Sequence, residues 1–381
     1  MAIQVDLHAP TVRNDQRVWR MFPGRGYRFL DSFLEQHVGF LDFPDLVLPG
    51  KPAEATDLIP RIARSQAVRD AFHKHGSDFH PNTIKLSDHT SARRTKYRAL
   101  LRQALLNLMV EAKGGDYVVL PEPIFRANIH VGRIRGEATH GYYAYRYGKT
   151  AIPARHITWL ASVPENSVSV ALSNSLRHQH PFSLLEKNLY VEIFSLAHGS
   201  FVYGDRHAST IYNTESDFLD ADAAFLGAIS RLAAAACRAV DEGKSTLDAS
   251  DLVDVLLRTP PIEYTCTQAA DIHSAGFNRY VSGTVVSLVI AALTATFIGF
   301  GEKSSKGQLP SDINTFVVMN SAQGADPQCT ARVSKASAMV LSALGIDKTW
   351  SLCEAARAAQ RRAGLKSSAT PVELQHSGKK P

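Results

Sequence analysis

Apolar positions along the chain follow two rhythms, short strand-like runs in the first part and helical spacing in the second. Val18 to Phe22 is a short apolar run, and Pro23-Gly24-Arg25-Gly26 breaks it. Phe29, Phe33 and Leu34 then recur at helical spacing, and Val38-Gly39-Phe40-Leu41 returns to a strand-like run. The pattern predicts strand, glycine-rich turn, short helix, strand. Residues 44–92 are less regular, with a Pro/Gly-bearing loop, a helix after Pro60 and a second loop. From Ser91 onward Leu100, Leu101, Leu105, Leu108 and Met109 fall on one helical face, with Arg93, Arg94, Lys96, Arg98 and Arg102 opposite. Gly114-Gly115 closes this helix as a C-terminal glycine cap would. Apolar runs at 117–120, 127–134, 142–147 and 157–160, separated by Gly, Pro and His, predict strands of a small, partly closed barrel.

The helical rhythm dominates beyond Pro164. Residues 166–200 read as mixed but mainly helical, and 217–243 as an alanine-rich helix begun by Asp217 or Asp220. Ser245 or Ser250 caps a shorter helix after it. A strand is expected at 313–320, one or two helices over 331–363, and a disordered tail over 366–381. Residues 281–301 carry no charge over 21 positions. That is about the length that spans a bilayer, and it is also the composition of a fully buried helix. The flanking Arg279, Glu302 and Lys303 give no orientation signal. A buried helix is the favoured reading and a membrane span the alternative.

Length and charge refine this picture. A chain of 381 residues with 45 % apolar and 20 % charged positions is long enough for two domains, each with its own core. The net charge of +6 is uneven. Residues 1–165 hold 23 Lys and Arg against 16 Asp and Glu, and residues 166–381 hold 19 against 20. An anionic partner is therefore expected on the first half. Cys237, Cys266, Cys329 and Cys353 lie far apart with no CxxC pair. This argues against a disulfide scaffold or a cysteine zinc site and suits a reducing compartment. The opening residues lack the apolar core of a secretory signal, so a cytoplasmic location is expected.

Catalytic motifs are scarce. GxSxG, the P-loop, GxGxxG after a strand and HExxH are all missing. His73-Lys74-His75 and His178-Gln179-His180 space their histidines two apart, which shares a face on a strand but not on a helix, and no third ligand follows. Glu186-Lys187 lacks the intervening residue of a restriction-nuclease Asp/Glu-x-Lys. Neither a metal nor a cofactor is expected. Serine triads leave no spacing rule and stay open. The stronger signal is HGYYAYRYGK at 140–149. As a strand it places Tyr143, Tyr145 and Tyr147 on one face, with Tyr142, Ala144 and Arg146 on the other. Such a surface can stack bases while cations reach phosphates. An ordinary tyrosine-rich strand with one face in the core is the alternative.

Four segments in order strengthen the nucleic-acid reading. RVWRMFPGRGYRFLDSFLEQHVGFLDF (17–43), KGGDYVVLP (113–121), ANIHVGRIRGE (127–137) with YYAYRYG, and ARHITWLASVP (154–164) resemble the small domain that precedes the nuclease in Mrr-type modification-dependent restriction proteins. That domain belongs to the EVE/PUA-like superfamily, and the resemblance spans residues 17–164. It implies a small mixed barrel that binds nucleic acid and, in some relatives, takes a flipped or modified base into an aromatic pocket. On that reading Trp19, Phe22, Phe40, Tyr143, Tyr145 and Trp159 supply the stacking surface, and Arg20 or Arg146 the charge. Asp42 departs from the small or aromatic residue common there. Trp19 and Trp159 read equally as core residues.

The resulting expectation is an α+β protein. An EVE/PUA-like recognition barrel covers 12–165, a mainly α-helical effector or interaction domain covers 166–365, and a disordered tail covers 366–381. The expected function is a nucleic-acid or modified-base sensor of bacterial anti-phage defence, with DNA favoured over RNA and a homo-oligomer or defence-system protein as a further partner. A metal-dependent nuclease with a diverged site in the second half, and a membrane-acting effector using 281–301, are the alternatives.

Overall fold

A computed structural model describes residues 3–76, 79–93, 95–123, 128–148, 150–178, 180–215, 217–247, 252–271, 276–303 and 316–372. The chain divides into two compact units, one of residues 15–197 and one of residues 1–14 with 198–381. The division differs from the expected break at 165/166. The first strands, β1 (Ile3–Asp6) and β2 (Thr11–Val12), pair with strands beyond residue 200, so they belong to the second unit.

The unit of residues 15–197 begins with β3 (Val18–Met21), α1 (Leu30–Glu35) and β4 (Val38–Phe40). α2 (Leu58–His75) and α3 (Lys96–Leu106) follow, and a π-helical turn at 107–111 extends α3. Thr95 caps α3, its hydroxyl accepting from Arg98 N at 3.1 Å. Then come β5 (Tyr117–Pro121), β6 (Asn128–Tyr143), β7 (Ala151–Pro164), α4 (Val170–Leu176), β8 (Phe182–Leu184) and α5 (Tyr190–His198). The strands form one sheet in the order β4-β7-β6-β5-β3-β8. All pairs are antiparallel except β3–β5, whose parallel pairing is permitted by the helical crossover between them.

This sheet curls into a half-barrel. Register shifts interrupt the β6–β7 ladder after Val131, Arg135 and Thr139, and such bulges bend a strand pair. Gly132 allows the close approach of β7, because a Cβ there would lie 2.5 Å from Ile157 Cγ2 and 2.7 Å from Trp159. Arg155, 1 % exposed, ties the sheet to the end of α3. Its guanidinium donates to the carbonyls of Leu108 (2.9 Å), Met109 (3.3 Å), Ala112 (2.5 Å) and Gly136 (3.0 Å). The expected strand over 142–147 is corrected. β6 ends at Tyr143 and Tyr145–Tyr147 is a 3₁₀ turn, so the alternation inferred for the tyrosines does not hold.

The second unit adds β9 (Phe201–Tyr203), β10 (Arg206–Asn213), α6 (Asp220–Asp241), α7 (Leu252–Leu257), β11 (Thr267–Asp271), β12 (Gly276–Ser282) and α8 (Val286–Lys303). β13 (Phe316–Met319), α9 (Pro327–Ala363), β14 (Leu365–Ser367) and β15 (Thr370–Pro371) complete it. One sheet runs β11-β12-β10-β9-β2 with β14 also on β10, and a second runs β13-β1-β15. The expectation of a mainly helical second half is therefore corrected to mixed α+β. Of the tail expected to be disordered over 366–381, the part up to residue 372 contributes to β14 and β15, and residues 373–381 lie outside the described residues. Its polar composition misleads because β14 buries Leu365 and Ser367, and Ser367 donates to Ala291 O at 2.8 Å.

α8 is the centre of this unit's core. Val286, Leu288, Val289, Ile290 and Leu293 are fully buried among α6, α9 and the adjoining strands. Residues 286–299 of the helix carry no charge because they are buried on every side. Thr296, also buried, donates to Ala292 O at 2.7 Å instead of to water. Among the described residues one helix, α6, is long and apolar enough to cross a membrane, and it buries half of its apolar window in the same core.

Candidate nucleic-acid interface

The turn after β3 delivers the first charged group. Gly24 (φ 77°) and Gly26 (φ 66°) take left-handed conformations, and so does Tyr27 (φ 57°), where a side chain makes that conformation costly. Tyr27 N donates to Gly24 O and Phe29 N to Pro23 O, both at 3.0 Å, closing the turn. Arg28 emerges beside Asp42, two residues beyond the end of β4. Asp42 pairs with Arg28 through one carboxylate oxygen and accepts the Tyr147 hydroxyl on the other. Burial, then the neighbouring Asp42 carboxylate, pushes the Tyr147 phenol well up, so it remains a donor.

The far end of α2 closes on this pair. His73 Nε2 lies 3.0 Å from Arg28 Nη1. A guanidinium can only donate, so His73 accepts there and is neutral. Burial lowers its pKa, and the charges of Arg28, Arg146 and Arg69 add to the effect, with Asp42 opposing them. Arg69 is itself paired with Asp70 at 2.8 Å. Arg28, Arg69 and Arg146 thus all act on His73, three guanidiniums against the carboxylates of Asp42 and Asp70. Tyr97, 58 % exposed, stands near enough to influence Arg69.

An aromatic floor underlies these groups. Tyr147 meets Phe72 edge-on at 5.3 Å between centroids and Phe29 at 6.4 Å. Phe40 packs on Phe29 at 4.9 Å and stacks on Tyr142 at 5.0 Å. The whole unit holds 24 Lys and Arg against 17 Asp and Glu, a balance of +7, and the remaining residues hold 18 against 19. The arrangement can hold an anion at its rim, while Tyr147, Phe72, Phe29 and Phe40 are buried rings that pack beneath it.

The residues expected at the site divide between this cluster and the core. Arg146 is exposed and joins the cluster. Phe22 is half-buried against Tyr27, with centroids 4.8 Å apart. Phe40 is buried and serves as floor. Trp19 is 2 % exposed, stacked on Phe182 at 5.1 Å, with Nε1 donating to Asp116 at 2.9 Å. It is a core residue in this structure. Arg20 is buried and donates to Ser175 O (2.5 Å) and Ser183 Oγ (2.9 Å). Trp159 is half-buried with Nε1 on Phe33 O at 2.9 Å. The side chains of Tyr143 and Tyr145 lie outside the described residues.

Sequence reading missed Arg28 and Arg69 as site residues, placed Tyr147 on a base-stacking strand face where the structure has a buried 3₁₀ turn, and took His73 for a weak metal candidate. The one available signal was Asp42, an acid in an apolar run that called for a cationic partner. Among the described residues no three His, Cys, Asp or Glu side chains converge as a metal site. Comparison of the sequence with models of known families and with curated proteins, and of the structure with solved structures, finds no match.

Proposed function

We propose that this protein is a nucleic-acid sensor that reads its ligand through the unit of residues 15–197, with DNA preferred. The carrying observation is the group of Arg28, Arg69 and Arg146 about a neutral His73 and beside Asp42, over a buried aromatic floor in a unit of +7. The resemblance of residues 17–164 to the recognition domain of modification-dependent restriction proteins supports a modified base as the feature read. It also supports a place in anti-phage defence, with residues 198–381 passing the signal on. Phosphates are held by the rim, and Tyr97, exposed beside Arg69, is the ring on which an unstacked base stacks.

The test is a salt titration of the full chain against plain and modified DNAs and RNAs of one sequence. Log affinity should fall linearly with log salt, with a slope near −0.9 per phosphate neutralised on duplex DNA and about −0.7 on single strands. Arg69→Ala and Arg146→Ala should each weaken every sequence alike and reduce the slope by about one. Salt-independent binding, or slopes that neither variant changes, would exclude this interface. Equal affinity for plain and modified duplexes would remove the modified base from the reading while leaving the interface.

A further inference from the structure

A second constellation lies in the other unit, where β1 runs between β13 and β15. Asp6, at the end of β1, is 5 % exposed. Its Oδ1 accepts the backbone N–H groups of His8 and Ser321, each at 3.0 Å. Burial alone would raise this carboxyl, but hydrogen bonds from the Ser321 hydroxyl and these two N–H groups hold it below the ordinary carboxylate range. His8 is a non-glycine residue at φ 47°, a strained conformation that sets its ring over the strand ends. His8 Nδ1 lies 3.2 Å from Ser321 Oγ and 3.5 Å from Asp6 Oδ2. His8 Nε2 lies 2.7 Å from Thr370 Oγ1.

The proton order follows from the carboxylate. Asp6 can only accept, so the Ser321 hydroxyl donates to it. Ser321 Oγ then accepts from His8 Nδ1–H, which leaves Nε2 as the acceptor for the Thr370 hydroxyl. Asp6, directly and through Ser321, thus fixes the imidazole tautomer that a general base needs.

We infer that Thr370 is a nucleophile activated by His8, in an acyl-transfer site that hydrolyses carboxylic esters. Thr370 Oγ1 attacks the carbonyl carbon while its proton passes to His8 Nε2, and the imidazolium is stabilised by Asp6. The tetrahedral intermediate collapses, the alcohol leaves with the proton from His8, and an ester on Thr370 remains. Water, deprotonated by His8, attacks that ester and releases the acid, restoring the Thr370 hydroxyl. Asp6 disfavours an anionic phosphoester at the same place, whereas a neutral carbonyl meets no such repulsion. Thr370 is held for this chemistry by its register opposite Asp6, and Pro371 beside it packs on Gly299. A groove of about 680 Å³ lined by Val318, Asn320, Ala331 and Ser334 flanks β13.

The experiment uses the full chain with p-nitrophenyl butyrate, acid quenching and peptide mass mapping. Expected are nitrophenolate release above the buffer rate and a butyryl group on the peptide containing Thr370. His8→Gln and Thr370→Val should each cut the rate about a hundredfold or more, with thermal midpoints close to the parent's. Thr370→Ser should keep the activity and the label, which separates lost chemistry from lost folding. Label on another residue, rates unchanged in both variants, or no release by the parent protein would each overturn the assignment.

Discussion

His73 shows how a single side chain takes its character from residues remote in sequence. Its neutrality comes from burial and then from Arg28, Arg146 and Arg69, drawn from the β3 turn, from the 3₁₀ turn after β6 and from α2 itself. That environment sets a pH dependence for ligand binding. A phosphate arriving at the rim adds negative charge and raises the pKa of His73 from its lowered free value toward or above the ordinary ~6.5. The complex then holds more protons than the free protein, so affinity rises as pH falls through the range in which the bound His73 takes up its proton. His73→Gln should flatten that rise, whereas Arg69→Ala should weaken binding and leave the pH slope in place. Fluorescence anisotropy at fixed salt across this range checks it, and a slope untouched by His73→Gln would remove the histidine from the site. None of this was legible in the spacing of His73 and His75, which gave only a weak metal motif. Arg155 was equally opaque, because three of the four carbonyls it binds lie more than forty residues upstream and carry no side-chain signature.

Elements were legible where pattern and packing agree. The strand, turn, short helix and strand expected over 18–41 correspond to β3, the Gly24–Tyr27 turn, α1 and β4, because local periodicity and glycine chemistry decide them. The run at 142–147 failed because alternating side chains fit a strand and a 3₁₀ turn alike once the ladder with β7 ends. α8 is the opposite case, where composition left two environments open and enclosure decides between them. Its apolar surface already meets α6, α9 and strands, so the full chain should stay in the supernatant of a high-speed spin without detergent. Val289 is 0 % exposed, and Val289→Asp places a carboxylate with no partner in that core, at a cost of several kcal/mol. Val289→Asp should therefore unfold or aggregate the unit, while Val289→Ile should cost at most about 3 kcal/mol. Circular dichroism melts of the two variants distinguish them, and a protein recovered only with detergent would reverse the environment assigned to α8.

At the scale of the whole molecule, the chain order and the spatial order disagree, and that disagreement is what a left-to-right reading cannot see. Residues 1–14 precede the half-barrel in sequence but supply β1 and β2 to the two sheets of the other unit. β1 is a central strand, with β13 parallel on one side and β15 antiparallel on the other, and it buries Val5 and Asp6. Removing a central strand orphans the facing amides of both neighbours, and such buried polar groups are costly when unpaired. Deletion of residues 1–14 should therefore destabilise the distant 198–381 segment and spare the adjacent half-barrel. Hydrogen exchange on the truncated chain should show lost protection first in β13, β15 and β9, with β5, β6 and β7 protected as in the full chain. The nucleic-acid binding proposed above should persist at temperatures where the 198–381 segment has already opened, since Arg28, Arg69, His73 and Arg146 all lie within residues 15–197. Early loss of protection in β5–β7, or unchanged protection in β13 and β15, would show that the first fourteen residues do not hold the position in the fold argued for them.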